Sequence, residues 1–145
     1  MKISTKGRYA LRMLIDLAQH QSEGYIALKD IAARQAISKK YLEQIVPVLN
    51  SSGILVANRG FQGGYRLAGE PKDFTIAAIL RCTEGNLAPI ACLEMEPEGC
   101  DRRNNCPTIL MWQGLYKVIN DYLEGMTLQT LLDQTQAPSD KDHIL

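Results

Sequence analysis

Three of the four cysteines in this chain, Cys92, Cys100 and Cys106, lie close together, separated by seven and then five other residues. Three thiols cannot all pair as disulfides, and thiolates are good ligands for soft metals and iron–sulfur clusters. Structural zinc sites usually contain cysteine pairs two to four residues apart and need four ligands, which this stretch does not supply. The spacing therefore favours an iron–sulfur cluster, with a thiol redox switch, a zinc site and three unrelated thiols as alternatives.

Cys92 and Cys100 fall in a stretch without helical or strand periodicity, residues 84–105, and Cys106 follows it directly. So long an irregular loop in a compact domain requires an explanation, and wrapping a metal centre would provide one. Nearby carboxylates are candidates for a remaining iron ligand: Glu94, Glu96, Glu98 and Asp101. Cys82 is expected to be buried on the apolar face of a preceding helix, and neither histidine is assigned chemistry.

A second set of polar residues points to nucleic-acid binding. Residues 28–52 predict two short helices joined by a tight turn at Gln35–Ile37, with the weak cap Ala27 before the first and Ser38 capping the second. On the second helix the residues at inward spacing are apolar: Tyr41, Leu42, Ile45, Val48 and Leu49. Lys39, Lys40, Glu43 and Gln44 are left facing outward. A polar, mixed-charge outer face is what reading base edges in the major groove requires.

A glycine-rich hairpin is predicted next, with residues 54–58 paired to 65–67 across 59–64. Gly60, Gly63 and Gly64 would let the backbone approach a phosphate, and Arg59 suits a narrow minor groove. A helix-turn-helix followed by such a hairpin is the layout of a winged helix-turn-helix. The alternative is an ordinary surface hairpin.

The remaining elements are predicted to be helical, so the expected fold class is mainly α. Helices are predicted over residues 5–21, capped by Thr5, over 75–83, capped by Thr75, and over 107–123, with a last turn or two after Thr127. We therefore expect a winged helix-turn-helix domain (1–83), a cysteine loop (84–106), a dimerisation helix and C-terminal helix (107–134) and a disordered tail (135–145).

The 107–123 helix carries apolar residues on more than one face. Ile109, Trp112 and Tyr116 are assigned to one side, and Leu115, Ile119 and Tyr122 to the other. Two apolar faces exceed what a small domain covers by itself, so this helix is expected to hold a homodimer.

The net charge of zero conceals an asymmetry. Residues 1–70 hold ten Lys and Arg against five Asp and Glu, whereas residues 71–145 hold six against eleven. A basic amino-terminal half is expected of a module that binds a polyanion. The sequence shows no signal peptide or membrane-spanning run and no catalytic constellation, so we expect a cytoplasmic protein that is not an enzyme.

Taken together, the opening KISTKGRYALRMLIDLA, the segment ISKKYLEQIV, the wing RGFQGGYRL and the three-cysteine loop resemble the IscR, NsrR, RirA and CymR-type family of bacterial winged helix-turn-helix regulators. The resemblance covers residues 1 to about 134. It implies a homodimeric transcription factor that binds a roughly palindromic operator, in which Lys40, Glu43, Gln44 and Arg59 read DNA. It also implies that Cys92, Cys100 and Cys106 hold a [2Fe-2S] or [4Fe-4S] cluster whose state controls operator affinity, for iron, redox or nitric oxide sensing.

The sequence departs from the pattern of this family at the fourth cluster ligand. The position of the histidine ligand of IscR is Ile109 here, and the position of the aspartate ligand of NsrR is Arg8. CymR-type members imply an alternative function: a cluster-free regulator of sulfur metabolism controlled by a partner enzyme or by thiol oxidation.

Overall fold

The computed structural model describes residues 2–94 and 105–136. Within those ranges the expected mainly helical fold with a hairpin wing is confirmed. The helices and strands run in the order α1 (Thr5–Gln19), α2 (Leu28–Gln35), α3 (Lys39–Ser51), β1 (Leu55–Asn58), β2 (Gly64–Leu67), α4 (Ile76–Glu84), α5 (Ile109–Glu124) and α6 (Leu128–Gln136). None of these helices is long and apolar enough to cross a membrane.

Helix α1 forms the centre of the fold. Its buried residues recur at helical spacing and face the other elements: Ala10, Met13, Leu14, Leu17 and Ala18. The helix is capped by Ser4, whose hydroxyl accepts a hydrogen bond from the Gly7 amide at 3.1 Å, so the predicted cap at Thr5 was wrong by one residue. It ends at Gln19, two residues earlier than predicted.

Helices α2 and α3 form the predicted helix-turn-helix. As expected, Ala27 precedes α2 without a capping side chain, and the Ser38 hydroxyl caps α3 by accepting from the Tyr41 amide at 3.0 Å. Ala36 makes the sharp turn between them with a left-handed φ of 54°. Helix α3 continues through Pro47, because burial of its inner face outweighs the cost of a proline inside a helix.

The inner face of α3 differs in detail from the prediction. It consists of Leu42, Ile45, Val46 and Leu49, which are buried. Val48, expected to point inward, is half-buried, and Tyr41 packs at the edge of the core. The stripe is thus rotated slightly toward Val46.

The hairpin pairs antiparallel, with Leu55 opposite Leu67 and Asn58 opposite Gly64. It is tied to the segment before α2 by two backbone hydrogen bonds of 2.9 Å, from Ile26 N to Tyr65 O and from Tyr65 N to Ile26 O. The wing is therefore fixed at its root to the helix-turn-helix.

Helix α6 packs against the same core as α1. Thr75 caps α4 as predicted, and the next backbone amide, that of Ile76, donates to Met126 O at 2.8 Å. The Leu128 side chain is fully buried. Because α6 extends to Gln136, residues 135 and 136 belong to a helix and not to the predicted disordered tail; residues 137–145 lie outside the described residues.

Helix α5 starts at Ile109, two residues after the predicted start. Its inner face, Tyr116, Ile119 and Leu123, packs against the core. Ile119 was assigned with Leu115 and Tyr122 to the side opposite Tyr116, and that assignment was wrong, because Ile119 and Tyr116 both pack against the core. The outward side chains are Leu110, Met111, Leu115, Val118 and Tyr122.

The beginning of the predicted irregular loop is ordered by packing. Glu84 is still part of α4, Leu87 is buried, and Ala91–Leu93 forms a short 3₁₀ turn. The irregular stretch therefore begins after Glu84, one residue later than predicted, and its first part is anchored by the buried Leu87.

Candidate nucleic-acid interface and cysteine site

The outer face of α3 presents the polar side chains that the sequence predicted. Lys40, Glu43 and Gln44 are exposed, and Lys39 Nζ lies 3.9 Å from Glu43 Oε1 one turn away. That ion pair is loose and solvated, so both groups can exchange it for a partner on DNA at little cost. The Ser38 oxygen accepts the capping bond, which leaves its hydroxyl proton to donate to a phosphate.

The wing lies next in sequence and carries two arginines. Arg59 is exposed immediately after β1, and the Arg66 guanidinium carbon lies 4.8 Å from the centre of the Tyr25 ring. A guanidinium stacked on an aromatic face is held in place while its outer N–H groups stay available. Stacking on Tyr25 therefore holds the exposed Arg66 side chain in place on the wing.

Two of the three wing glycines have structural reasons to be glycine. A Cβ on Gly64 would lie 2.3 Å from the Ile26 carbonyl oxygen, and one on Gly63 would lie 2.6 Å from the Asn58 carbonyl oxygen. Close packing of backbone against backbone explains these two residues without a phosphate. Gly60, with a φ of +102° and open space around it, remains a candidate for close approach to DNA.

A buried carboxylate on α1 fixes the orientation of the helix-turn-helix. Asp16, 1% exposed, accepts hydrogen bonds from Arg34 Nη2 at 2.7 Å and Nε at 3.0 Å, and from Gln35 Nε2 at 3.0 Å. These donors occupy the last turn of α2, immediately before the turn at Ala36. A bidentate carboxylate–guanidinium pair is geometrically demanding, so it sets the angle between α1 and α2.

The protonation of Asp16 follows from this arrangement. Burial by itself raises the pKa of the Asp16 carboxyl, but the hydrogen bonds from Arg34 and Gln35 and the Arg34 charge outweigh it. The pKa of Asp16 therefore lies below its ordinary value, and the carboxylate stays ionised near neutral pH.

Arg12 reinforces the same junction. Its guanidinium donates to the Gln35 backbone carbonyl through Nη2 and to the Gln35 side-chain oxygen through Nε at 3.5 Å. Its guanidinium carbon also lies 5.2 Å from the centre of the Tyr9 ring. Arg12 of α1 thus holds the end of α2 at the turn between the two helices.

The cysteine residues are described in part. Cys92 lies in the 3₁₀ turn Ala91–Leu93, Cys106 lies three residues before α5, and both are half-buried. Cys100 and the carboxylates Glu96, Glu98 and Asp101 lie outside the described residues, as does His143. Within the described ranges no three metal-binding side chains converge. Because Cys100 lies outside those ranges, the set of three cysteine ligands stays a prediction.

The chemistry of Cys106 suits a thiolate ligand. Its Sγ lies 3.5 Å from Thr108 Oγ1, and this side-chain hydrogen bond, with others from the backbone amides of Thr108 and Ile109, lowers the pKa of the Cys106 thiol below its ordinary value. These backbone amides lie at the start of α5, which favours a negative charge. By contrast Cys82, half-buried, donates to the Ala78 carbonyl at 3.1 Å as part of the helix packing.

Sequence reasoning missed several of these residues. An aspartate on the apolar side of α1 was the available signal for the Asp16 clamp, since a buried acid is rarely left without a cationic partner. The stacking of Arg66 on Tyr25 joins residues 41 positions apart and had no local signal. The exposed residues Leu110, Met111 and Val118 of α5 were missed because their orientation depends on how α5 packs.

These features define a class of protein: a winged helix-turn-helix DNA-binding regulator with an additional long helix. A family model named Rrf2 and described as an iron-dependent transcriptional regulator matches residues 3–134, and this chain belongs to that family. It is therefore a transcriptional regulator and not an enzyme.

Individual relatives agree with this assignment. The HTH-type transcriptional regulator IscR of Aliivibrio salmonicida is 34% identical over 146 residues, covering 99% of this chain and 86% of the relative. The structure of CymR, the global cysteine regulator of B. subtilis, superimposes with a TM-score of 0.77 at 36% identity, covering 94% of this chain and 99% of that one. The structure of T. potens IscR gives a TM-score of 0.75 at 35% identity, covering 99% and 97%.

Proposed function

We propose that this regulator is a homodimer that reads a roughly palindromic operator with α3 and the wing, and that its operator affinity is controlled by an iron–sulfur cluster held by Cys92, Cys100 and Cys106. The proposed DNA binding rests on one observation, the exposed polar face of α3. Backbone hydrogen bonds to Ile26 hold the wing beside this face, and the hydrogen bonds of Asp16 to the end of α2 hold the turn before it. A rigid support of this kind keeps base-reading side chains in register.

The side chains of α3 have chemically distinct roles. Glu43 can accept a hydrogen bond from the N4 amino group of cytosine, and Gln44 can pair with adenine in the major groove. Lys39 and Arg66 supply positive charge for phosphates, with Arg59 directed to the adjacent minor groove. Affinity should therefore fall steeply as the salt concentration rises.

The outer face of α5 supports dimerisation. Met111, Leu115, Val118 and Tyr122 are spaced four, three and four residues apart, so they form one stripe along the helix. Leu110 is 80%, Val118 64% and Tyr122 66% exposed, although they are large and apolar. An apolar stripe of this length is typical of an interface between identical helices. A dimer would place two α3 helices about one DNA turn apart.

Two described cysteines support cluster binding. Cys92 and Cys106 flank the segment containing Cys100, and the lowered pKa of Cys106 favours the thiolate that a cluster requires. A [2Fe-2S] or [4Fe-4S] cluster bound there would supply a group that changes with iron supply, oxidation or nitric oxide. The cysteine loop would bring the three thiolates together. Because this loop runs from the end of α4 to the start of α5, a change in its conformation would reach both helices.

A second candidate keeps DNA binding and replaces the cluster with thiol oxidation or a partner enzyme of sulfur metabolism. The similarity to CymR, titled a global cysteine regulator, and the acidified Cys106 thiol favour it. The two candidates differ in iron and sulfide content.

DNA binding is tested with duplexes selected from a random pool by the purified protein. Glu43→Ala should relax base preference at one position per half-site, by about 1–3 kcal/mol. Glu23→Ala is the matched control, since Glu23 is an exposed glutamate away from α3. Unchanged sequence preference in Glu43→Ala would contradict the docking of α3.

Cluster binding is tested by anaerobic reconstitution with iron and sulfide, followed by absorbance and by iron and sulfide analysis. Cys92→Ala, Cys100→Ala and Cys106→Ala should each lose cluster, whereas Cys82→Ala should retain it. Wild-type protein that stays colourless and free of iron would favour the cluster-free candidate. A retained cluster that leaves operator affinity unchanged would remove its regulatory role.

A further inference from the structure

The tip of the wing carries one fully exposed aromatic side chain. Phe61 is 99% exposed, and within the described residues the other large exposed apolar side chains all lie on α5. Phe61 is therefore separate from the surface assigned to the dimer. Its neighbours at the tip, Gly60, Gln62 and Gly63, add almost no apolar surface around it.

A closed turn presents this ring. The Gly63 amide donates to the Gly60 carbonyl at 2.9 Å, so Phe61 and Gln62 occupy the two corner positions. Gln62 has a φ of +65°, in the left-handed region that favours glycine. The backbone contacts around Gly63 are too tight for the turn to accept a Cβ there. The ring is thus projected away from the hairpin by a tightly packed backbone.

A single projecting ring is better suited to insertion into a narrow groove of DNA than to contact with a flat protein surface. Protein interfaces bury contiguous patches of many residues, and the wing tip offers only one apolar side chain. Minor-groove binders, by contrast, combine an arginine with an apolar side chain inserted between base pairs, most easily at flexible pyrimidine–purine steps. Arg59 and Phe61, two residues apart at the same tip, form this combination.

We infer that Phe61 enters the minor groove beside each half-site and partly unstacks one base step there, which makes it a specificity-determining residue for positions that α3 does not read. This inference rests on the proposed docking of α3 in the major groove. It predicts a sequence preference for a pyrimidine–purine step flanking each half-site, because such steps open at the lowest cost.

The test uses duplexes selected by the wild-type protein, with 2-aminopurine placed at successive flanking positions to report unstacking. Wild-type protein should raise the fluorescence at one flanking step, and Phe61→Ala should abolish that rise and weaken binding about tenfold. Gln62→Asn is the matched control, because it alters the neighbouring corner while tolerating a left-handed φ, and it should keep both properties.

The outcomes separate this inference from the proposal on which it depends. If wild type selects and binds duplexes but Phe61→Ala matches it in affinity, flanking preference and fluorescence, the role of Phe61 is overturned and DNA binding stands. If wild-type protein selects no duplex at all, the proposed DNA-binding function itself fails. Equal loss in Gln62→Asn and Phe61→Ala would also overturn the inference, since the ring would then have no role of its own.

Discussion

Glu84, the last residue of α4, hydrogen-bonds to Ser4, the residue that caps the start of α1, although the two are 80 positions apart in sequence. Its Oε1 accepts hydrogen bonds from the Ser4 hydroxyl at 2.5 Å and from the Ser4 amide at 3.3 Å. Gly7 makes room for it, because a Cβ on Gly7 would lie 2.3 Å from the same oxygen. The cysteine loop begins at the next residue, so the base of that loop is attached directly to the first turn of the central helix.

The Ser4–Glu84 contact should appear as a coupling energy. Ser4→Ala and Glu84→Ala should each destabilise the fold by about 1 kcal/mol, and the double variant by less than their sum. Urea unfolding of the four proteins measures this. Ser38→Ala with Glu84→Ala is the control pair, because Ser38 caps a different helix, and its effects should add. Additive effects for Ser4 and Glu84 would show that the contact contributes nothing.

The Asp16 clamp should make stability depend on acid pH. The folded-state pKa of Asp16 lies below the unfolded value of about 3.9, so its contribution is complete above that pH and is lost as the pH falls through the folded value. Asp16→Asn should cost about 1–3 kcal/mol near pH 7 and show a flatter loss of stability below about pH 4. Denaturant unfolding from pH 3 to pH 7 measures both effects, with the exposed Asp30→Asn as control. Parallel pH profiles for wild type and Asp16→Asn would disprove the assignment.

Substituting Gly64 should break the backbone hydrogen bonds between Ile26 and Tyr65 that attach the wing to the helix-turn-helix. In Gly64→Ala the new Cβ would meet the Ile26 backbone, which cannot move aside as a side chain can, so we expect a loss of about 1–3 kcal/mol. Hydrogen exchange at the Ile26 and Tyr65 amides should accelerate more than exchange in α1. Asn58→Ala, directly opposite Gly64 in the hairpin, serves as the control. Normal protection of both amides in Gly64→Ala would contradict this role.

The two sides of α5 should respond differently to charge. Val118→Asp should dissociate the dimer while leaving each chain folded, because Val118 points outward. Ile119→Asp should also lower the unfolding midpoint, because Ile119 packs against the core. Light scattering and thermal unfolding separate the two effects. Gln113→Asp, exposed on the same helix, should do neither. A Val118→Asp protein that remains dimeric would place the interface elsewhere.

Local patterns in the sequence were sufficient for most of the elements. The 3.6-residue periodicity of α1 and α3, the caps at Ser38 and Thr75, and the glycine-rich turn after β1 depend on residues within a few positions of one another. The same locality explains why the polar residues of α3 could be assigned to its outer face. The cysteine spacing likewise could be interpreted chemically without a fold, although Cys100 lies outside the described residues.

Only the tertiary structure decided which residues far apart in the chain contact each other. Ser4 and Glu84 are separated by 80 positions, and Asp16 and Arg34 by 18, so no periodicity could have paired them. The outward face of α5 was likewise fixed by its packing and not by its composition, since apolar residues surround much of that helix. The physical reason is that propensity and capping act within one or two turns, whereas burial and buried hydrogen bonds depend on which distant surfaces meet.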